Sequence, residues 1–432
     1  MLKQQLRGIS SLLTSISLIG VVVGMTSTLL SLRATIEDFG TLVTGFIMSA
    51  YFIGYLFGST RAPKDIRRVG YIRSLGGLAA LAAASILVQA IWVDPIVWFV
   101  MRFITGFAIS GIFVIVESWL NTMADNKSRG TLLSIYLVII YSGLIAGQLI
   151  LGVADPAGFV AFAIVALLIN LALIPILVSV TVEPTTYENK KVPVFLLLKT
   201  VPLGVVNAFI MQACYAMFYG IGPMYASYIG LSVFQITLFM AAFILGGLIS
   251  QTPFGLLSDR IDRRFVIAIC AAGGTAIAVL LSQLGASNAI LIYIAVGLLG
   301  AFILPLYSLG MAHTNDYLEK DQMVGATGAI IKIGGAGSII GAPAVAALMQ
   351  FGAINFFFLL LASLTALVCL YTLYRVTRRA KAEDQLHSNF ASLAPSQTSD
   401  ELLTSMAEEA PESPEEDEEE EDSEIESNAI LR

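Results

Sequence analysis

Apolar runs and polar breaks alternate along the whole chain. Twelve runs are long enough to cross a bilayer: 9–32, 41–60, 69–92, 95–122, 131–153, 157–182, 200–227, 234–257, 264–284, 288–312, 323–350 and 353–376. Each is near the ~20 residues that carry a helix across the hydrocarbon core. Backbone groups must be satisfied within the segment there, so the runs predict helices; a membrane barrel would show alternating segments of ~10 residues. The opening "MLKQQLRG" has the charge of a signal peptide, but the apolar region behind it is too long and no small-residue cleavage site follows, so it is expected to lead into an uncleaved first span.

The longest internal polar break, "VEPTTYENKKVP" at 182–193, follows the sixth run. It predicts an N-terminal six-helix bundle over 1–182, a cytoplasmic linker over 183–199 and a C-terminal six-helix bundle over 200–377. The two halves repeat. A shift of 192 residues lays 50–72 on 242–264 without a gap and matches Ala50 with Ala242, Gly54 with Gly246, Leu56 with Leu248, Thr60 with Thr252 and Arg68 with Arg260. The expected fold is an all-α membrane protein of two bundles related by a pseudo-two-fold axis, as in carriers that rock two similar halves about a central site.

Composition agrees: 57% of the 432 residues are hydrophobic and 13% charged, against roughly a quarter charged in soluble domains. The net charge of -7 hides two opposite parts. Residues 383–432 hold 17 Asp and Glu against one Arg, and the remaining 23 Lys and Arg face 14 Asp and Glu. The stretch 378–432, with "PESPEEDEEEEDSE", repels itself and has no core to bury, which predicts a disordered acidic tail that either solvates or docks on basic loops. With the N-terminus placed inside, 20 of 24 Lys and Arg fall on the cytoplasmic side, so both termini are expected there. Cys214, Cys270 and Cys369 lie in apolar runs, while His313 reads as a loop residue and His387 as a tail residue, so no metal site is expected.

The loop "GLLSDRIDRR" resembles the G-x-x-x-D-R-x-G-R-R signature of the major facilitator superfamily through Gly255, Asp259, Arg260, Arg263 and Arg264, with Asp262 in place of the second glycine. The first-half copy keeps Arg68 and Gly70 but has Pro63 and Arg67 for the first glycine and the aspartate. The resemblance implies a cytoplasmic latch between helix ends. "AYFIGYLFGS", "RFITGFAISGIFVIVESWLN", "SRGTLLSIYLVIIYSG" and "GQLILG" resemble the YcaD-like branch of that superfamily, bacterial inner-membrane transporters of undefined substrate. Arg102-x-x-x-Gly106 resembles the arginine motif on the fourth helix of drug–proton antiporters, which is linked to proton coupling. Gly143-x-x-x-Gly147-Gln148 lacks the proline those antiporters favour. These glycines, like Gly337-x-x-x-Gly341, suit close helix packing.

Three ionisable residues lie at membrane depth: Arg102, Glu117 and Lys332. Such residues are costly in lipid and mark function by default. Glu117 sits ~7 Å from the cytoplasmic end of its span and ~22 Å from Arg102, beyond direct pairing. Lys332 sits ~13 Å into the eleventh span. Family architecture brings the inner halves of spans four and eleven together when the carrier faces outward, so Glu117 and Lys332 are expected to bridge as a gate or proton-sensitive latch. A structural ion pair, or Lys332 snorkelling to the surface, is the plainer reading. Arg102 is open among anion ligand, proton-coupling partner and snorkelling cation. The resemblance also implies a cavity lined by spans one, four, seven and ten, with Asn207, Gln212, Tyr215 and Tyr307 as candidate substrate contacts.

These readings predict a secondary carrier of a small organic solute working by alternating access, proton-coupled through Glu117, in a bacterial inner membrane. An uncoupled facilitator, or a sensor or scaffold acting through the acidic tail, is the alternative. No enzymatic activity, cofactor, metal or nucleic-acid partner is expected; the partners are the bilayer, the solute and protons, and a monomer is the expected state.

Overall fold

A computed structural model of the chain describes residues 2–123, 129–178, 194–284, 288–318 and 320–378. The acidic tail and linker residues 183–193 lie outside them. The described residues form helices and no strand: α1 Leu2–Ile36, α2 Thr41–Val69, α3 Tyr71–Ile91, α4 Pro95–Met123, α5 Arg129–Gly152, α6 Phe159–Val178, α7 Val194–Thr200, α8 Pro202–Tyr228, α9 Val233–Arg260, α10 Arg263–Gln283, α11 Ala289–Asn315, α12 Lys320–Phe351 and α13 Phe356–Arg378. All but the short α7 carry a segment long and apolar enough to cross a membrane, twelve in number.

Local chemistry sets the helix ends. Asp94 accepts from the backbone N–H groups of Ile96 and Val97 at 2.9 and 3.0 Å, and Pro95 opens α4 in the first turn, where its missing N–H would have no intrahelical partner. Ser232 and Gln235 form a reciprocal capping box at the start of α9. Gly70 alone separates α2 from α3, with φ 86° and ψ 166°, a conformation that only glycine adopts without strain.

Two expectations need correction here. The basic stretches after the second and eighth spans are not loops: α2 runs on through Arg68 to Val69 and α9 through Asp259 to Arg260, so the signature residues sit on helix ends. Charged side chains at the membrane surface can extend from a continuing helix into water, and the helix has no reason to stop where the apolar run does. Residues 194–199 of the expected linker belong to the helix α7, with Leu197 buried, Phe195 exposed and the Lys199 ammonium 4.5 Å over the Phe195 ring.

The packing repeats as the sequence does. In the first half α2 packs on α4, α1 on α5 and α6, and α3 on α4 and α6. In the second, α9 packs on α11, α8 on α12 and α13, and α10 on α11 and α13. The aligned glycines explain part of this. A Cβ on Gly54 would strike the Phe103 carbonyl of α4, and one on Gly246 would strike the Gly297 carbonyl of α11. Gly106 and Gly300 return the contact against the Tyr51 and Phe243 carbonyls. Gly143 and Gly147 bring α5 against α1, and Gly337 and Gly341 bring α12 against α8. In lipid, helix association depends on such close approach because apolar burial alone gives no preference for a neighbouring helix.

The bundles meet through α2 with α12, α5 with α9, and α1 with α8. At the end where α1 finishes, the expected outer face, the Leu42 N–H donates to Gln350 Oε1 at 3.0 Å and the Thr41 and Tyr228 hydroxyls lie 3.3 Å apart. Nearer the other end, Gln251 of α9 donates to the Tyr141 hydroxyl of α5 at 2.8 Å.

Candidate functional site

Arg102 is 3% exposed, so it does not snorkel to the surface. Its guanidinium lies over the Tyr51 ring, 4.6 Å from the centroid, with Nη2 3.8 Å from Met48 Sδ. All three residues line a cavity of about 30 Å³ with Val23, Gly24, Ser27, Phe52 and Leu144 from the first bundle and Tyr219 and Gly220 from the second. That volume holds about a water or two. Solute pockets are roughly ten times larger. The space beside Arg102 is therefore too small for a solute as it stands.

Glu117 is fully buried and accepts a short hydrogen bond from the Tyr136 hydroxyl of α5. Tyr55 of α2 is within electrostatic reach of Tyr136, and its ring is 6.1 Å from that of Tyr51. Two residues on from Glu117, Trp119 packs on Tyr71 at 5.4 Å. The expected bridge to Lys332 is not formed: Lys332 is exposed on α12, and no ion pair joins it to Glu117 among the described residues. Arg102 and Glu117 are thus separate on α4: Tyr51 lies under the one and Tyr136 bonds the other, with Tyr55 packed near Tyr51 and within electrostatic reach of Tyr136.

The four candidate cavity residues are all buried, but none lines the cavity at Arg102, where α8 contributes Tyr219 and Gly220. Asn207 donates to the Leu306 carbonyl at 2.7 Å and Tyr215 to the Leu304 carbonyl at 2.8 Å, on either side of Pro305. A proline inside a helix removes a backbone donor and disturbs the local ladder, and these side chains brace α11 there. Gln212 receives the Ser338 hydroxyl at 3.3 Å, tying α8 to α12, and Tyr307 is 2% exposed within α11. Gln148 donates to the Gly24 carbonyl at 2.6 Å, which ties α5 to α1.

The signature residues gather where α9, α10 and α11 end. Arg263 pairs with Asp259 at 2.9 Å and with Asp316, the C-cap of α11, at 2.7 Å. Arg263 and Asp316 are each 2% exposed. An arginine at a helix N-terminus and an aspartate at a helix C-terminus each oppose their own helix dipole, so it is the mutual attraction that holds both. Asp262, which replaces the signature glycine, has φ -54° and caps α10 by accepting from the Arg264 N–H at 3.0 Å. Gly255 accepts from the Ser258 hydroxyl at 2.7 Å, and Arg68 and Arg260 are exposed. His313 is not a loop residue: it lies buried in the last turn of α11, with its ring 5.1 Å from Tyr317.

Burial alone would raise the Asp262 carboxyl, but hydrogen bonds from the Arg264 side chain and backbone, with the Arg264 charge, together hold it below its ordinary value. A depressed folded-state value gives stability that is present above the unfolded value near ~3.9 and lost as pH falls through the folded one. Asp262→Asn is therefore expected to lower stability at pH 7 by about 0.5 kcal/mol, limited by solvent screening, with the deficit shrinking as pH falls below the ordinary carboxyl value of ~3.9. Thermal unfolding of both proteins across that range checks it.

The sequence did not reveal Tyr51, Tyr136 or Asp316 as site residues. The signals were there: Tyr51 and Tyr55 stand four apart on one helix face, and Asp316 is an acid just past an apolar run.

Two repeated bundles with twelve spans among the described residues, and a small cavity lined by both, are the architecture of transporter folds built from repeats. The profile of the Major Facilitator Superfamily matches residues 12–242 and 204–405, and the chain belongs to that superfamily. An uncharacterized MFS-type transporter, YcaD, of Escherichia fergusonii is 28% identical over 369 residues, which is 85% of this chain and 95% of that one. A relative in Yersinia pestis is 28% identical over 371 residues, 85% and 96% of the two chains. The YcaD-like resemblance seen in spans two to five thus extends over most of the chain. Among solved structures, a variant of the nucleoside transporter NupG superposes with TM-score 0.74 at 12% identity, covering 86% of this chain and all of that one. A variant of the fucose:proton symporter FucP of E. coli gives 0.56 at 17% identity, covering 86% and 99%. At these identities the likeness shows the fold. The chain is a multi-pass membrane protein of a transporter family, and its bacterial relatives are consistent with an inner membrane.

Proposed function

We propose that the chain is a secondary carrier that moves a small organic solute by alternating access, with both termini cytoplasmic. The observation that carries this reading is the small cavity at Arg102, walled by both bundles, with inter-bundle contacts on either side of it: Leu42–Gln350 and Thr41–Tyr228 toward one end, Tyr141–Gln251 toward the other. Parting one set while keeping the other opens the cavity to one face at a time. Protons move through Glu117 and Tyr136, and the row Tyr136, Tyr55, Tyr51 and Arg102 links that pair to the solute. An uncoupled facilitator is favoured by Gln148, which stands where proton antiporters favour proline.

The test is metabolite profiling of a deletion strain, complemented by the wild-type chain, followed by counterflow in proteoliposomes for each solute whose level changes. At least one small organic solute is expected to accumulate or drain, and to exchange across vesicles holding the purified chain. A strain and vesicles that move nothing would overturn transport.

A further inference from the structure

We infer that the solute is an organic monoanion, a carboxylate on an apolar or aromatic body, held at the cavity by Arg102 and Tyr51. The inference rests on the carrier reading and deepens it. Arg102 is 3% and Tyr51 8% exposed. Neither Arg102 Nε nor the Tyr51 hydroxyl has a hydrogen-bond partner among the described residues. The nearest acceptor on the guanidinium is a thioether sulfur at 3.8 Å, which is a weak one. No carboxylate lines the cavity.

A buried guanidinium without an opposite charge is strongly unfavourable, and more so at membrane depth. Stacking on Tyr51 occupies its flat face and leaves the in-plane donors available. An anion arriving edge-on takes those donors in a fork, as carboxylates do, and the Tyr51 hydroxyl donates to the same oxygens. One guanidinium and one neutral hydroxyl balance a single negative charge; a phosphate dianion would leave charge unmatched. The rest of the wall, with Phe52, Tyr219, Leu144 and Val23, suits an apolar or aromatic body.

Proteoliposomes holding the full chain and loaded with the profiled solute test this with matched pairs: benzoate against benzamide, phenylacetate against phenylacetamide, and chloride as a simple anion. The transported solute is expected to carry one negative charge at pH 7. The acid of each pair should inhibit at about 100-fold lower concentration than its amide, because a site built to pair an anion rejects the analogue lacking it. Arg102→Gln should cut that preference to about threefold or less, and Arg102→Lys should keep part of it, as a point charge without the fork. The preference is a ratio within each protein, so lower yield of a variant does not mimic its loss. A neutral or cationic solute, equal inhibition by acid and amide, inhibition by chloride as strong as by benzoate, or an Arg102→Gln protein with the wild-type preference would each overturn the anion while transport stands. If the vesicles move nothing, transport itself fails, and the acid-against-amide difference in thermal stabilisation of the purified chain decides the anion site alone: a preference for the acid supports it and equality overturns it.

Discussion

Asp316→Ala is expected to destabilise the protein by about 3 kcal/mol, the lower part of the range for breaking a buried pair. The substitution leaves the Arg263 guanidinium, 2% exposed, with one less counter-charge in a dry place. Asp259 still reaches Arg263 at 2.9 Å and offsets part of the loss, which is why the upper end of the range is not expected. Asp259→Ala should cost less than about 1 kcal/mol, since its side chain is 33% exposed and surface pairs contribute little. Removing both partners of the buried pair, as Arg263→Met with Asp316→Leu, should restore most of the stability, because no charge is then stranded. Thermal unfolding of the purified proteins in detergent measures all three. An Asp316→Ala protein as stable as wild type would show that the α10–α11 clamp does not hold the second bundle. The restored double variant should still transport poorly if the clamp also sets the position of the helix ends as the bundles rock.

That clamp shows where sequence reading stopped. The spans were legible because the bilayer leaves the chain no other way to pair its backbone, and the repeat was legible because Gly54 and Gly246 make the same close helix contact in each half. The partners of the charges were not. Lys332 was matched to Glu117 by depth alone, and depth says nothing about rotation of a helix about its axis. Rotation is read from an apolar stripe, and α4 and α12 are apolar nearly all round. The structure turns Lys332 outward and gives Glu117 a tyrosine from the adjacent α5. Asp262 stood out in the sequence only as a replacement for the signature's second glycine; with a negative φ the position needs no glycine, and the carboxylate caps α10.

The same geometry separates two accounts of Glu117. If the carboxylate works through Tyr136, Glu117→Gln should slow transport about tenfold or more, some 1.4 kcal/mol of barrier. The rate that remains should no longer vary between about pH 5 and 8, the window in which a coupled proton is expected to act. Tyr136→Phe removes the one hydrogen bond drawn between them. A bond to a charged acceptor contributes about 1.5–3 kcal/mol, so this variant should shift the pH profile as well as the rate. Tyr55→Phe should have a smaller effect in the same direction, since Tyr55 is within electrostatic reach of Tyr136 and its ring is 6.1 Å from that of Tyr51. Lys332→Met should stay within about twofold of wild type, as an exposed cation with no ion-pair partner among the described residues has little to lose. Uptake into proteoliposomes from about pH 5 to 8, a window above the reference carboxyl value of ~4.3, measures the set. Normal transport by Glu117→Gln across the range would end the proton reading and leave the facilitator. A Lys332→Met defect as deep as that of Glu117→Gln would mean that the two do meet in the other conformation of the cycle, where α4 and α12 close on each other.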